Sequence, residues 1–332
     1  MERKVYLGAN LSYNQFVGKR ILLRLLSILL TLFIVSLALY SLEYYSLGDS
    51  LSVIMSEEAS DADLARYRNA HSDSVGFISG YIKYISSFFS FNWGVTVSGL
   101  DVKDVIASRL PLTLTLAISS MFFSLLFSFL WSIAAVIKRG MLDKTAEIFS
   151  IVAMSLPSFL IAIILVIVFA VLLKIFPVAG YIDPSLSVGG YLKSIFLPTL
   201  SLTIINAPIW LRIFKGELKK IASESYSTSI IMQGGDNKDI VLYSALKPSL
   251  IFALSLFADS FASALAGSAV VEKVFALPGL GSLMVGAALS RDVQLAGVTM
   301  LLIALMVSVV FVVAEVLQAL LDPRVRRSYE KA

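Results

Sequence analysis

The 332-residue chain has no cysteine and a single histidine, His71. Disulfides, thiolate metal sites and cysteine nucleophiles are excluded, and one histidine cannot build a His-rich metal centre. Charge is also scarce. Asp, Glu, Lys and Arg make up 15% of residues, against 58% hydrophobic ones. A soluble domain carries about 25% charged and about 45–50% apolar residues, so this composition suits lipid as the solvent. No G-x-x-x-x-G-K-[ST] loop and no G-x-S-x-G elbow occurs. The chain therefore lacks the sequence basis for holding nucleotide phosphates or for common hydrolase chemistry.

What the chain does have is long apolar runs, and roughly 20 such residues suffice to cross a bilayer as a helix. Six spans are expected: Ile21 to Leu42, Leu112 to Ile137, Ile148 to Leu173, Ser194 to Phe214, Ser249 to Val271 and Ala296 to Leu321. The fourth is the weakest, with Pro198, Asn206, Pro208 and Arg212 inside it; the third contains Pro157. The first twenty residues are mixed and polar. The run after them is long enough to stay in the membrane, so it reads as a span and not as a cleaved leader.

The formal net charge of +4 is distributed as an orientation signal. Arg3, Lys4, Lys19 and Arg20 precede the first span; Lys138, Arg139 and Lys144 follow the second. Lys219, Lys220, Lys238 and Lys247 follow the fourth, and Arg324, Arg326, Arg327 and Lys331 follow the sixth. An even number of spans puts these segments on one side, which is assigned to the cytoplasm. The opposite side holds an acidic loop with Glu43, Asp49, Glu57, Glu58, Asp61, Asp63 and Asp73. The expected organisation is a cytoplasmic N-terminus (1–20), a first transmembrane helix (21–42) and a long extracytoplasmic loop (43–108). A five-helix core (109–321) with a cytoplasmic loop at 215–248 and a cytoplasmic tail (322–332) complete it. Within the long loop, Phe77, Tyr81, Tyr84, Ile85 and Phe88 recur at helical spacing, so Phe77 to Phe91 reads as an interfacial or docked helix.

The cytoplasmic loop is long, polar and compatible with helix, with Gly234-Gly235 near its middle. A glycine break there permits a positive backbone angle between two short helices. In the spans, Asn206 and the ionisable Asp259 are the candidate path residues, since an ionisable group at membrane depth is costly unless it faces a cavity or a partner. Pro278-Gly279-Leu280-Gly281 reads as a tight outer turn.

A set of motifs then gives a resemblance. Tyr81-Ile82-Lys83-Tyr84 is followed by Trp93-Gly94, then Arg109-Leu110-Pro111-Leu112-Thr113-Leu114, Lys138-Arg139-Gly140 and Ser155-Leu156-Pro157-Ser158-Phe159. Phe176-Pro177-Val178-Ala179-Gly180 and Leu197-Pro198-Thr199-Leu200 come next. Val271-Glu272-Lys273-Val274-Phe275-Ala276-Leu277-Pro278-Gly279-Leu280-Gly281, Arg291-Asp292 and Leu321-Asp322-Pro323-Arg324-Val325-Arg326 complete the series. In order and spacing these resemble the permease subunits of dipeptide, oligopeptide and nickel ABC importers, a family that also includes oligosaccharide transporters.

The resemblance implies an all-α polytopic fold of six transmembrane helices, as in type I ABC importer permeases. It implies a peptide permease working by alternating access, with a second permease subunit, two ABC ATPase subunits and an extracytoplasmic binding protein as partners. ATP and Mg would be bound by those partner subunits, with no cofactor and no enzymatic activity in this chain. It places the ATPase-coupling element at Glu224, Ser225 and Tyr226 and at Gln233, Gly234 and Gly235. The chain departs from the family pattern there: Gln233 replaces a lysine, Ile230 and Met232 replace small residues, and Phe252 stands where proline is usual. Oligosaccharide is the alternative substrate. A secondary transporter or channel is the alternative class, though the inverted repeat common in such folds is not visible.

Overall fold

The computed structural model describes residues 22, 25–45, 76–138, 140–222, 232, 234–236, 238, 241 and 246–321. Their long elements are helices: α1 (Leu25–Tyr45), α2 (Phe77–Phe89), α3 (Val102–Lys138), α4 (Met141–Ser155) and α5 (Ser158–Leu165), which continues as a π-helix at Val166–Leu172. Then come α6 (Val188–Ala222), α7 (Leu246–Val274), α8 (Leu280–Leu289) and α9 (Val293–Leu321). No β-strand occurs among the described residues. The helix expected from Phe77 onward is present, ending at Phe89.

α1, α3, α6 and α9 are long and apolar enough to cross a membrane, and α4 with α5 makes a fifth crossing if taken as one broken span. The two halves are bent by 108° at Leu156–Pro157. Leu156 is extended (φ −89°, ψ 134°), as the residue before a proline prefers. Packing decides between a broken span and a loop that turns back. On α4, Ala146 packs against Leu211 and Asp143 reaches Lys215 and Lys219. Ala162 and Ala170, from α5 and its π turn, lie against Leu197 and Leu202. The pair therefore follows α6 from one end toward the other and crosses. At 29 residues α7 has the length of the remaining expected span. The third span is thus broken at Pro157, the proline that the sequence places inside its apolar run.

Among α1, α3, α6 and α9, α6 has the weakest hydropathy and is the most buried, with 72% of its apolar window inside the protein. A helix surrounded by protein has little need of an apolar surface. Its neighbour α3 binds it by a ladder: Ser124, Ser128 and Ser132, spaced one per turn, donate to the carbonyl oxygens of Thr203, Ala207 and Leu211 at 3.1, 2.8 and 3.2 Å. All three serines are fully buried. Small side chains let the backbones approach, and such bonds contribute about 0.6 kcal/mol each in a membrane. Changing all three to alanine should cost about 2 kcal/mol by the same average. Thermal unfolding in nanodiscs measures this, and an unchanged midpoint would show that the ladder contributes no stability.

Candidate functional site

Motifs far apart in sequence converge at one end of the bundle. Glu272, in the last turn of α7, is fully buried. Its Oε1 accepts from Thr113 Oγ1 of α3 at 2.8 Å, and its Oε2 accepts from the Ser282 N–H at 2.7 Å. Thr113 Oγ1 in turn accepts from the Leu280 N–H at 2.8 Å. One carboxylate and one hydroxyl thus take up N–H groups of the first turn of α8, where the helix dipole also favours negative charge. A side chain at Gly279 would overlap the Glu272 carboxylate, and one at Gly281 would overlap the Ala269 backbone, so these glycines permit the close approach. The tight turn that the sequence suggested closes at Pro278, where the Gly279 N–H donates to Leu277 O at 3.0 Å, and Leu280 and Gly281 already belong to α8; Ser282 Oγ lies within 2.8 and 2.9 Å of Leu277 O and Gly279 O and donates its one proton between them.

Asp292 makes a second junction at the same end. Its Oδ1 accepts from Leu295 N at 3.0 Å, capping α9, and its Oδ2 accepts from Val97 N at 2.9 Å. Gln294 Nε2 donates to the Trp93 carbonyl at 2.7 Å, and Trp93 Nε1 donates to Phe88 O at 2.9 Å. The Gly180 N–H donates to Phe275 O at 2.9 Å, and Phe176 stacks on Phe196 with centroids 4.6 Å apart. The motifs at 93–94, 109–114, 176–180, 271–281 and 291–292 therefore form one continuous structure.

Helices α2, α7 and α8 also close there in one manner. Phe91, Ala276 and Arg291 have φ of 57°, 51° and 55°. In each case that residue's N–H reaches back three positions and the next N–H reaches back five, as in Asp292 N to Ala287 O at 2.9 Å. This is the Schellman closure with a side chain where glycine is usual, a backbone state that costs about 1–2 kcal/mol per residue.

The candidate path residues are placed differently. Asn206 is buried in α6, and its Nδ2 folds back onto Leu202 O at 2.9 Å. Asp259 is exposed on α7 in a stripe with Ser263, Ala266 and Val270. The exposed residues of α1 and α3 are of another kind, with Leu25, Leu26, Leu29, Leu30 and Phe33 on α1 and Ile118, Phe122, Phe123 and Leu126 on α3. Large apolar side chains suit acyl chains, whereas a carboxylate among small residues suits water or another protein. Sequence reasoning singled out Asp259; the stripe it belongs to emerges from burial.

At the opposite end, Lys215 and Lys219 of α6 both reach Asp143 of α4 at 2.7 Å. Leu218 and Val136 pack with Val241. Of the candidate coupling residues, Glu224, Ser225, Tyr226 and Gln233 lie outside the described residues. Gly234 has φ 86°, the positive angle for which a glycine break was expected, and a Cβ there would meet nothing within 4 Å. Gly235 follows, and Asp236 Oδ1 then accepts from the Lys238 N–H at 2.8 Å.

Comparison with known proteins bears on both ends. The model of the family described as "Binding-protein-dependent transport system inner membrane component" matches residues 131–327, from within α3 to beyond α9. The dipeptide transport system permease protein DppB of Lactococcus lactis is 27% identical over 311 residues, covering 93% of this chain and 99% of the relative. The oligopeptide transport system permease protein OppB of Escherichia coli K12 is 28% identical over 249 residues, covering 74% and 79%.

Proposed function

Because the chain belongs to the family of binding-protein-dependent transport system inner membrane components, we propose that it is a peptide permease subunit of an ATP-driven importer. The similarity to relatives named for dipeptide and oligopeptide transport, over most of both chains, is the observation that carries this reading. In the reading, a second permease subunit completes the path, and the small, polar stripe at Asp259 faces that path or subunit. Two ABC ATPase subunits bind ATP and Mg and dock on the loop around Glu224 to Gly235, and this chain hydrolyses nothing. A binding protein delivers peptide to the end of the bundle built on Glu272 and Asp292. Closure of the ATPases on ATP opens the path outward; hydrolysis resets it inward.

The reading requires both termini in the cytoplasm. The absence of native cysteine makes this direct to test. Cysteines introduced at Ser60 and Ser187 should react with an impermeant maleimide added to intact cells, and one at Asn237 should react only after lysis. Labelling of Asn237→Cys in intact cells would reverse the orientation and remove the proposed docking loop from the ATPase side.

A further inference from the structure

α7 carries a charge at a depth where the other spans carry none. Asp259 stands near the middle of α7 (Leu246–Val274), roughly 20 Å along the axis from either end. On the buried side of the helix at that level, Phe261 and Leu265 pack with Met121 of α3 and with Met306 and Val307 of α9. These partners lie near the middle of their own helices, so three spans agree on the depth. No charged residue occurs in 25–42, 110–137, 148–173, 194–211 or 293–314, and Asp259 is alone in 248–271. Among the described residues nothing hydrogen-bonds to Asp259 or forms an ion pair with it.

A carboxylate at that depth is costly unless it meets water or a cation. The surface beside it is recessed. Between Asp259 and Val270 the exposed and half-buried residues of α7 are Ala262, Ser263, Ala266, Gly267 and Ala269. None has a side chain longer than a hydroxymethyl group. The serine ladder between α3 and α6 shows how this protein closes one helix on another, and that ladder is wholly buried and uncharged. The α7 surface is the opposite, open and carrying a charge.

We propose that Asp259 is the group in the translocation path that takes the α-ammonium of a passing peptide. The proposal rests on the peptide-permease reading. Every unmodified peptide carries that ammonium, and it is mostly protonated at neutral pH. The spans of this chain supply no cation at the level of Asp259, so the counter-charge enters with the substrate. The carboxylate accepts from the ammonium in a charge-assisted bond. Ser263, one turn along the same stripe, offers an uncharged hydroxyl to the peptide backbone.

The test uses the complete transporter in proteoliposomes. Trialanine, whose only cation is its α-ammonium, is the peptide. Asp259→Asn should lower the maximal rate of ATP-dependent uptake several-fold, and Asp259→Glu should restore most of it. Both variants should keep the second permease and the ATPase subunits at wild-type levels. A thiol at Ser263→Cys gives a second readout. A cationic thiosulfonate should modify it several-fold faster than an anionic one, and adding Asp259→Asn should level the two rates. Uptake by Asp259→Asn equal to wild type would overturn the proposal. Loss of the second permease subunit from Asp259→Asn would mean that the carboxylate pairs with that subunit, which also overturns it. Reaction of Ser263→Cys with neither reagent would mean that lipid or protein covers the stripe, with the same consequence. Wild type that takes up no peptide with ATP would instead overturn the permease reading, while the thiol rates would still report whether Asp259 draws cations from water.

Discussion

Glu272→Ala should destabilise the protein more than any change on its lipid-facing surface. The carboxylate is fully buried and accepts from Thr113 Oγ1 and the Ser282 N–H. Alanine leaves both donors without an acceptor in a dry setting, at about 1–3 kcal/mol each, or roughly 2–6 kcal/mol together. The first turn of α8 also loses the negative charge at its positive end. Glu272→Gln keeps a carbonyl oxygen in reach and should recover most of the loss. Thr113→Val strands one donor, the Leu280 N–H, and should cost about 1–3 kcal/mol. Because Thr113 and Glu272 are bonded to each other, the double variant should cost less than the sum of the single ones. Gly281→Ala tests the same junction sterically, since its methyl would meet the Ala269 backbone, which cannot rotate away as a side chain can. Unfolding midpoints in nanodiscs provide the measurement. A Glu272→Ala variant as stable as wild type would show that the junction does not hold α3, α7 and α8 together.

The family motifs were readable in the sequence, but not their meeting. Thr113 and Glu272 are 159 residues apart, and Val97 and Asp292 are 195 apart. Neither separation is a periodicity, and only the folded bundle brings the partners together. Glu272 stood within a quoted motif without a role, because nothing local says that a glutamate will be buried beneath a helix N-terminus. The spans were legible because lipid demands long apolar runs: α7 and α9 begin and end within three residues of theirs, whereas α6 runs six residues before and eight beyond the expected Ser194 to Phe214.

Two features have physical reasons that hydropathy does not carry. α6 reads as the weakest span because protein surrounds it, so Pro198, Asn206 and Pro208 cost no lipid exposure. Pro157 was visible inside the third apolar run, but hydropathy is blind to direction, and the 108° bend there appears only in the fold. The α2 helix was legible as a periodic segment, but its packing on α1 depends on which aromatic side chains meet. In the loop proposed to dock the ATPase the glycine break was legible, and Gly234 has the positive φ expected of it.

That glycine also allows transport to be separated from folding. Gly234→Val places a β-branched side chain at φ 86°, at a cost of about 1–3 kcal/mol in backbone strain. The site is open, with nothing within 4 Å of an added Cβ, so the cost falls on the turn and not on packing. The variant should reach the membrane at wild-type levels, yet lose the ATPase subunits on purification, or keep them without coupling. The most direct test of the whole account sets this variant beside wild type in proteoliposomes. Each is reconstituted with the second permease, ATPase and binding-protein subunits of the same transport system. Wild type should take up peptide only with ATP, with hydrolysis rising when peptide-loaded binding protein is added, while Gly234→Val should show neither response. Peptide uptake by the purified chain alone, driven by an ion gradient without ATP, would contradict the account.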